Sequence, residues 1–365
     1  MRRVGVYIFL FLIFALGFWR LGHRGELKLF ENSRILMDTL VTISLYDRDE
    51  THSQQVMEAG FQKIARVDEV MNAYKKGSEV WEVNQASGDS FVPVGKGLFG
   101  LLSRSLRFSR LTKGAFDPTV GPLENLWGFT KDKYRVPKEE EIEMLLPLVG
   151  YKRVRLDGLH QRIFLPLKGT KIDLGGVAKG YAADKAAEVM EEMGIPGGIV
   201  NAGGDIRLWG KKPRGGLWRV AIRHPRQQGE FIGYLHLPSQ GVATSGDYER
   251  CFFQMGKRYH HILDPTTGYP ADSAVSVTVI APSAEQADIL ATGAFVLGPK
   301  RGRELLEALP GVEGIIFYKR EGTIKSYLTS GMRKRYNPEK GLTLSIDEKE
   351  EERCASSKQT LFFGE

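Results

Sequence analysis

The sequence predicts an α+β fold in which mixed and antiparallel sheets carry flanking helices, as one elaborate unit or as two interlocked lobes. Three observations predict it. Apolar residues recur at helical steps in several separated segments. Short strand-like runs dominate the second half of the chain. No internal repeat and no long linker divides the middle, so the elements belong together.

The elements are read in chain order. Ile35 to Leu45 alternates and reads as a strand. His52 to Tyr74 reads as a helix, because Val56, Phe61, Ile64, Val67 and Met71 recur at three- to five-residue steps. Leu98, Leu101, Leu102 and Leu106 give a second helix. Pro137 followed by Lys138 and three glutamates opens a third, with acids in its first turn. Val154 to Asp173 reads as two strands around Gly158–Gln161. Val177 to Met193 is a strong helix stopped by Gly194. Trp218–Arg223, Phe231–Leu237, His261–Leu263 and Val275–Ala281 read as strands. Ser283 caps a further helix, with Gln286 three residues on completing a capping box. A short helix is expected near Arg303–Leu309, then strands over Val312–Tyr318 and Thr323–Leu328. From about Asn337 the chain is polar and charged, and residues 337–365 read as a disordered tail.

With 365 residues, 42% apolar and 26% charged, the chain has the balance of a soluble globular protein with a substantial core. The net charge is +7, but the basic residues are dispersed and not interleaved with aromatics, so nucleic acid is not the expected partner. The two cysteines, Cys251 and Cys354, have no metal or redox spacing.

The N-terminus predicts a location. Arg2 and Arg3 precede a sixteen-residue apolar run, Val4 to Trp19, closed by Arg20. The run lies between a signal-peptide core and a full membrane span. No small-residue cleavage site follows. Residues 1–22 are therefore read first as an uncleaved signal-anchor and second as a cleaved signal peptide. Either reading puts residues 23–336 on the extracytoplasmic side.

Several glycine-rich turns are candidates for ligand chemistry. Gly95 to Gly100 fits a dinucleotide-binding fingerprint, but no strand–helix–strand unit surrounds it, so the match is weak. Ile172-Asp-Leu-Gly-Gly-Val-Ala-Lys-Gly180 is the better signal. A strand ends in two glycines and a helix begins, which suits an anion such as pyrophosphate. Lys179 can reach a phosphate, and Asp173 can accept hydrogen bonds from a ring or a ribose. Read alone, the motif is equally an ordinary strand–helix turn. Asn201–Asp205, Ala243–Asp247 and His260–Gly268 are three more turns dense in small polar residues. Asp288 and Thr292 lie four apart on one helical face, a hard-oxygen pair suited to Mg²⁺, whereas zinc spacings are missing.

These pieces, in this order, resemble the ApbE family of FAD:protein FMN transferases. The resemblance runs from about Met37 to Tyr327. It rests on Gly114–Pro122, Ile172–Ala182, Asn201–Asp205, Ala243–Asp247, His261–Pro265 and Ala287–Thr292. It implies an ApbE-like domain over residues 23–336 and Mg²⁺-dependent transfer of FMN from FAD, as substrate, to a Ser or Thr hydroxyl of an acceptor flavoprotein. The implied acceptors are extracytoplasmic redox subunits. By the same resemblance Met37 packs near the flavin and Tyr74 covers its ring. Ala115, Phe116 and Asp117 surround the adenosine portion, and Asp173, Lys179 and Ile262 make further FAD contacts. Gly176, through its carbonyl, joins Asp288 and Thr292 at the metal. Asp38 stands where many members have Gly, and Ala291 where some have a second acid. His261 is the candidate general base, as histidine titrates near working pH, with His260 beside it as the alternative. Two other activities fit the same residues: a Mg²⁺-dependent FAD pyrophosphatase and a non-catalytic flavin-binding protein.

Overall fold

The computed structural model describes residues 26–130 and 133–339, with the backbone of the short strand Ser345–Ile346. The N-terminal apolar run and most of the polar tail lie outside the described residues.

The chain opens on a hairpin, β1 (Lys28–Leu36) and β2 (Thr39–Asp47), in antiparallel register with Leu36 opposite Thr39. The single strand expected over Ile35–Leu45 is therefore two strands. Met37 and Asp38 turn the chain, both left-handed at φ 52° and 57°. That is the geometry of a two-residue hairpin turn, in which Asp is well tolerated. Helix α1 (Glu50–Met71) is capped by Asp49, which accepts from the His52 amide at 2.6 Å. It buries the expected stripe of Val56, Phe61, Ile64, Val67 and Met71. Helix α2 (Glu79–Gln85) is too short to show a period and has no counterpart in the sequence reading. Then come β3 (Val92–Pro93), α3 (Lys96–Leu111), α4 (Gly121–Trp127), α5 (Glu139–Leu145), β4 (Arg155–Asp157) and β5 (Arg162–Phe164). At the start of α3, the Gly95 amide donates to Glu79 at 2.8 Å. A carboxylate of the protein thus occupies the place a nucleotide phosphate would need.

Helix α6 (Ala178–Glu192) ends at left-handed Gly194, as its sequence requires. It is followed by β6 (Gly197–Ala202), β7 (Asp205–Gly210), β8 (Trp218–Arg223), β9 (Phe231–Leu237), β10 (Gly241–Gly246), β11 (Cys251–Gln254), β12 (Lys257–His260) and β13 (Ser276–Ala281). Two expectations change here. Ala243–Gly246, read as a turn, is strand β10, and only Asp247 lies beyond its end. His261–Leu263, read as a strand, lies just outside the β11–β12 hairpin, with Leu263 bridging only Pro270. Helix α7 (Ala284–Glu307) is interrupted at Gly298 (φ 75°) and Pro299. Its second half begins at this break, earlier than the short helix expected near Arg303, because Pro is accepted in a first helical turn. Strands β14 (Glu313–Arg320), β15 (Thr323–Leu328), β16 (Tyr336–Pro338) and β17 (Ser345–Ile346) complete the fold. The expected tail boundary at 337 falls inside β16, which pairs with β9.

A nine-stranded sheet in the order β1-β2-β6-β7-β10-β13-β14-β15-β17 is the frame. Its pairings are antiparallel except the last. Helices α1, α6 and α7 cover one face over the main core. On the other face β8, β9 and β16 form a small sheet whose Trp218, Val220, Ile222 and Leu235 pack with Ile280, Ile315 and Phe317. Every residue of β13 is buried, as a strand covered on both faces must be.

Candidate functional site

The strand-to-helix turn at 172–176 is held from two sides. Asn84 of α2 exchanges two hydrogen bonds with the Ile172 backbone, at 2.6 and 2.8 Å. The Asp173 amide donates to Pro118 O at 2.8 Å, which ties the turn to the 114–122 loop. The Asp173 carboxylate accepts from the Gly175 amide at 2.6 Å and from the Tyr74 hydroxyl at 2.5 Å. Tyr74 also reaches Glu124 of α4 at 3.4 Å. Burial, then the neighbouring Asp173, holds Glu124 well above the usual carboxylate range. Burial and both acids raise the Tyr74 phenol, so its hydroxyl remains a donor.

Beyond that turn, Gly176 faces α7. A side chain at Gly176 would lie 3.3 Å from the Phe116 ring and 3.4 Å from Thr292 Oγ1. Thr292 Oγ1 in turn lies 3.2 Å from Ser245 Oγ on β10. One helical turn back, the buried Asp288 carboxylate accepts from the Gly180 amide at 3.2 Å. That bond exists because α6 and α7 meet at Gly180, where a Cβ would be only 2.3 Å from Ala284 O. Asp184 fixes the same junction by accepting from the amides of Ala284 and Glu285 at 3.0 and 2.9 Å. Lys179 pairs with buried Asp205 at 2.8 Å. Burial lowers the Lys179 ammonium, but Asp205 and Asp288 outweigh it and raise its pKa. Burial first, and then the like charge of Asp205, push Asp288 up to about 7.

The two histidines part company. His260 is buried, its Nε2 is 2.8 Å from Ala271 O, and its ring meets Phe295 edge-on at 5.5 Å. It belongs to the core. His261 has a buried Nδ1 with no hydrogen-bond partner among the described residues. Burial first, then Arg250, His260 and Lys179, hold it down at about 3. The expectation that it titrates near working pH is thus corrected for the ligand-free chain. At neutral pH it is a neutral imidazole, donating at one ring nitrogen and accepting at the other. Asp247, from the same motif as Ser245, is used structurally. Arg226 grips it with two bonds of 2.7 Å.

The described residues therefore gather Tyr74, Asp173, Gly176, Phe116, Thr292, Lys179 and Asp288 around one corner. Ile262 is buried beside His261, and Ala115 beside Phe116. Met37 lies in the β1–β2 turn, where the next strand meets the Asn201–Asp205 turn. Gly203 N donates to Leu40 O at 3.1 Å, and Thr39 touches the Gly203 position. Asp117 is the exception in kind. Its carboxylate accepts from Thr119 twice and from the Tyr151 amide at 2.8 Å, so it shapes the loop from within. Nothing in the local sequence sets Asp205, Ser245 or Glu124 apart from its neighbours. Glu124 lies in a helix of seven residues, two positions past the end of the Gly114–Pro122 motif.

The oxygen-only donors at this corner fit a hard cation. A buried carboxylate lifted to about 7 beside a like charge suits a divalent metal, and the Thr292 hydroxyl one helical turn on is a second hard oxygen. Among the described residues no cluster of three His, Cys, Asp or Glu has metal-holding geometry.

A family model described as the ApbE family matches residues 37–316. The chain belongs to the ApbE family. Among its curated ApbE relatives, an FAD:protein FMN transferase of Klebsiella pneumoniae (strain 342) is 33% identical over 313 residues, covering 85% of this chain and 95% of the relative. One of Escherichia coli (strain K12) is 33% identical over 302 residues, covering 81% and 84%. Solved ApbE structures agree with the fold. The ApbE protein of Thermotoga maritima superposes with a TM-score of 0.79 at 37% identity, covering 84% of this chain and 99% of that one. The flavin transferase ApbE of Vibrio cholerae gives 0.75 at 31%, covering 85% and 100%.

Proposed function

We propose that this chain transfers the FMN part of FAD to a Ser or Thr hydroxyl of an acceptor protein and releases AMP. The observation that carries the reading is the corner where Asp288 and Thr292 of α7 meet Gly176 and the Lys179–Asp205 pair, beside Tyr74 and Asp173. It has the donors for a cation, the glycine turn for a pyrophosphate, and an aromatic edge for a flavin ring.

Gly176, Asp288 and Thr292 would hold Mg²⁺, which supplies charge neutralisation for the pyrophosphate and its leaving group. Tyr74 and Asp173 would orient the flavin, with Met37 and Ile262 packed against it. Ala115, Phe116 and the loop that Asp117 shapes would border the adenosine. In the transfer step the acceptor hydroxyl oxygen bonds to the FMN-side phosphorus as the bond to the AMP oxygen breaks. AMP leaves with that electron pair. His261 is the candidate to take the hydroxyl proton, and because burial and Arg250 hold it at about 3 in the ligand-free chain, it would have to gain basicity from the bound anionic substrate to do so.

The location belongs to the same reading. No helix among the described residues is long and apolar enough to cross a membrane. The run Val4–Trp19 would anchor the enzyme and place the site outside the cytoplasm, facing extracytoplasmic flavoproteins. The test incubates the full chain with FAD, Mg²⁺ and a candidate acceptor. An FMN-sized mass gain on the acceptor with AMP release, both abolished by EDTA, supports transfer. Free FMN and AMP with every acceptor unmodified would replace it with the pyrophosphatase, and intact FAD with the binding protein.

A further inference from the structure

The site's evident cation is already committed. Lys179 is paired with Asp205 inside the fold at 2.8 Å, with the Asp288 carboxylate as its other acidic neighbour. Spent on Asp205, Lys179 brings no net positive charge to a doubly anionic pyrophosphate. Even with a divalent cation at Asp288, charge balance asks for another positive group.

Arg250 meets that need. It directly precedes β11, and the Cys251–His260 register puts it opposite His261. The His261 amide donates to Arg250 O at 3.1 Å, so the two residues are fixed side by side. The Arg250 side chain is exposed. Among the described residues its guanidinium makes no hydrogen bond and no ion pair, whereas nearby Arg226 and Arg258 are both turned onto Asp247. Its charge is nevertheless felt by Glu124 of α4, by Lys179 of α6 and by His261. Exposed and fixed by its backbone beside His261, Arg250 is within a side chain's reach of the same corner.

We propose that Arg250 is a substrate-gripping residue, its guanidinium fork closing on phosphate oxygens of the FAD pyrophosphate beside His261. This rests on the flavin-transfer reading. It adds a phosphate contact from the β11–β12 hairpin to those expected from the strand–helix turn.

The test compares the full-length wild type with Arg250→Gln and Arg250→Lys, each with Mg²⁺. Flavin fluorescence measures the affinity for FAD and for riboflavin, which has the same ring and no phosphate, and acceptor modification gives kcat and KM. The expected result is a loss of FAD affinity of about tenfold or more in Arg250→Gln, with riboflavin affinity unchanged and partial recovery in Arg250→Lys. Because the side chain has no partner among the described residues, the melting temperature should not move. Unchanged FAD affinity, or an equal loss for FAD and riboflavin, overturns the proposal. So does a rise confined to the acceptor KM, which would assign Arg250 to the acceptor. A wild type that binds FAD but never modifies an acceptor counts against the transfer reading, while the FAD-to-riboflavin comparison still decides the Arg250 contact.

Discussion

Gly180→Ala reverses the sign of an ordinary helix substitution. In an open helix interior, Gly→Ala gains about 0.5–1 kcal/mol by restricting the unfolded chain. At Gly180 the new Cβ would stand 2.3 Å from Ala284 O, 2.6 Å from its carbonyl carbon and 2.9 Å from the Glu285 amide nitrogen. These are backbone atoms at the start of α7 and cannot rotate away. A carbon rests about 3.3 Å or more from a carbonyl oxygen, so α6 and α7 must part by about 1 Å. Overpacking of this kind costs about 1–3 kcal/mol. Net of the helix gain, the loss is about 1–2 kcal/mol, which lowers Tm by a few degrees in a domain of this size. The same parting stretches the 3.2 Å bond from the Gly180 amide to Asp288 beyond hydrogen-bonding range. FMN transfer should fall about tenfold or more, since each 1.4 kcal/mol of lost positioning is a decade in rate. Calorimetry and the acceptor mass assay check both numbers. A Tm raised by the substitution, or a wild-type transfer rate, would show that the helices accommodate a methyl and that their contact does not position Asp288.

Asp288→Asn should lower transfer by about a hundredfold or more. In EDTA it should also stabilise the protein at pH 8. The native Asp288 carboxyl keeps its proton up to about 7, while the unfolded one releases it near the ordinary carboxylate value. Native stability therefore falls as pH rises through that window, and the Asn variant escapes the loss; denaturant titrations at pH 4 and pH 8 would refute this if the two proteins tracked each other. Mg²⁺ and the proton compete for Asp288, so the apparent Mg²⁺ affinity should drop about tenfold per unit below pH 7, as read from Mg²⁺-dependent FAD binding; a flat profile removes Asp288 from the metal. His260→Ala should cost about 2–3 kcal/mol of stability, because it empties a core position and frees Ala271 O, whereas His261→Ala should spare Tm and slow transfer; the reverse pattern would exchange the two assignments. Asp117→Asn should lower folding stability by about 1–3 kcal/mol in denaturant titrations while FAD affinity changes little, since its oxygens are spent on Thr119 and Tyr151; a selective loss of FAD affinity would mean the carboxylate touches the ligand.

Much of the fold follows from local rules. The stripe on α1, the Ser283 cap of α7 and the Gly194 stop of α6 are set by periodicity and capping, which act within a few residues. Where those rules are silent, the fold departs from the local pattern. A turn of Met and Asp carries no glycine, so the β1–β2 hairpin looked like one strand. Thr, Ser and Gly in β10 look like turn residues, and only the neighbours β7 and β13 make them a strand.

The site divides in the same way. By itself, the sequence determined the chemical types: a glycine turn before a helix, a hard-oxygen pair four residues apart, two adjacent histidines, and an order of motifs that matches one family. Their spacing encodes these features, because a helix turn or a capping box is a short-range object. Tertiary structure alone decided which charges are spent. Lys179 meets Asp205 from another turn, Tyr74 meets Asp173 from 99 positions away, and Asp117 is consumed by its own loop. It also decided that His260 is core, and that among the described residues one ring nitrogen of His261 and the Arg250 side chain have no partner. Ion pairing and burial depend on distances between segments remote in sequence, and no local pattern carries that information.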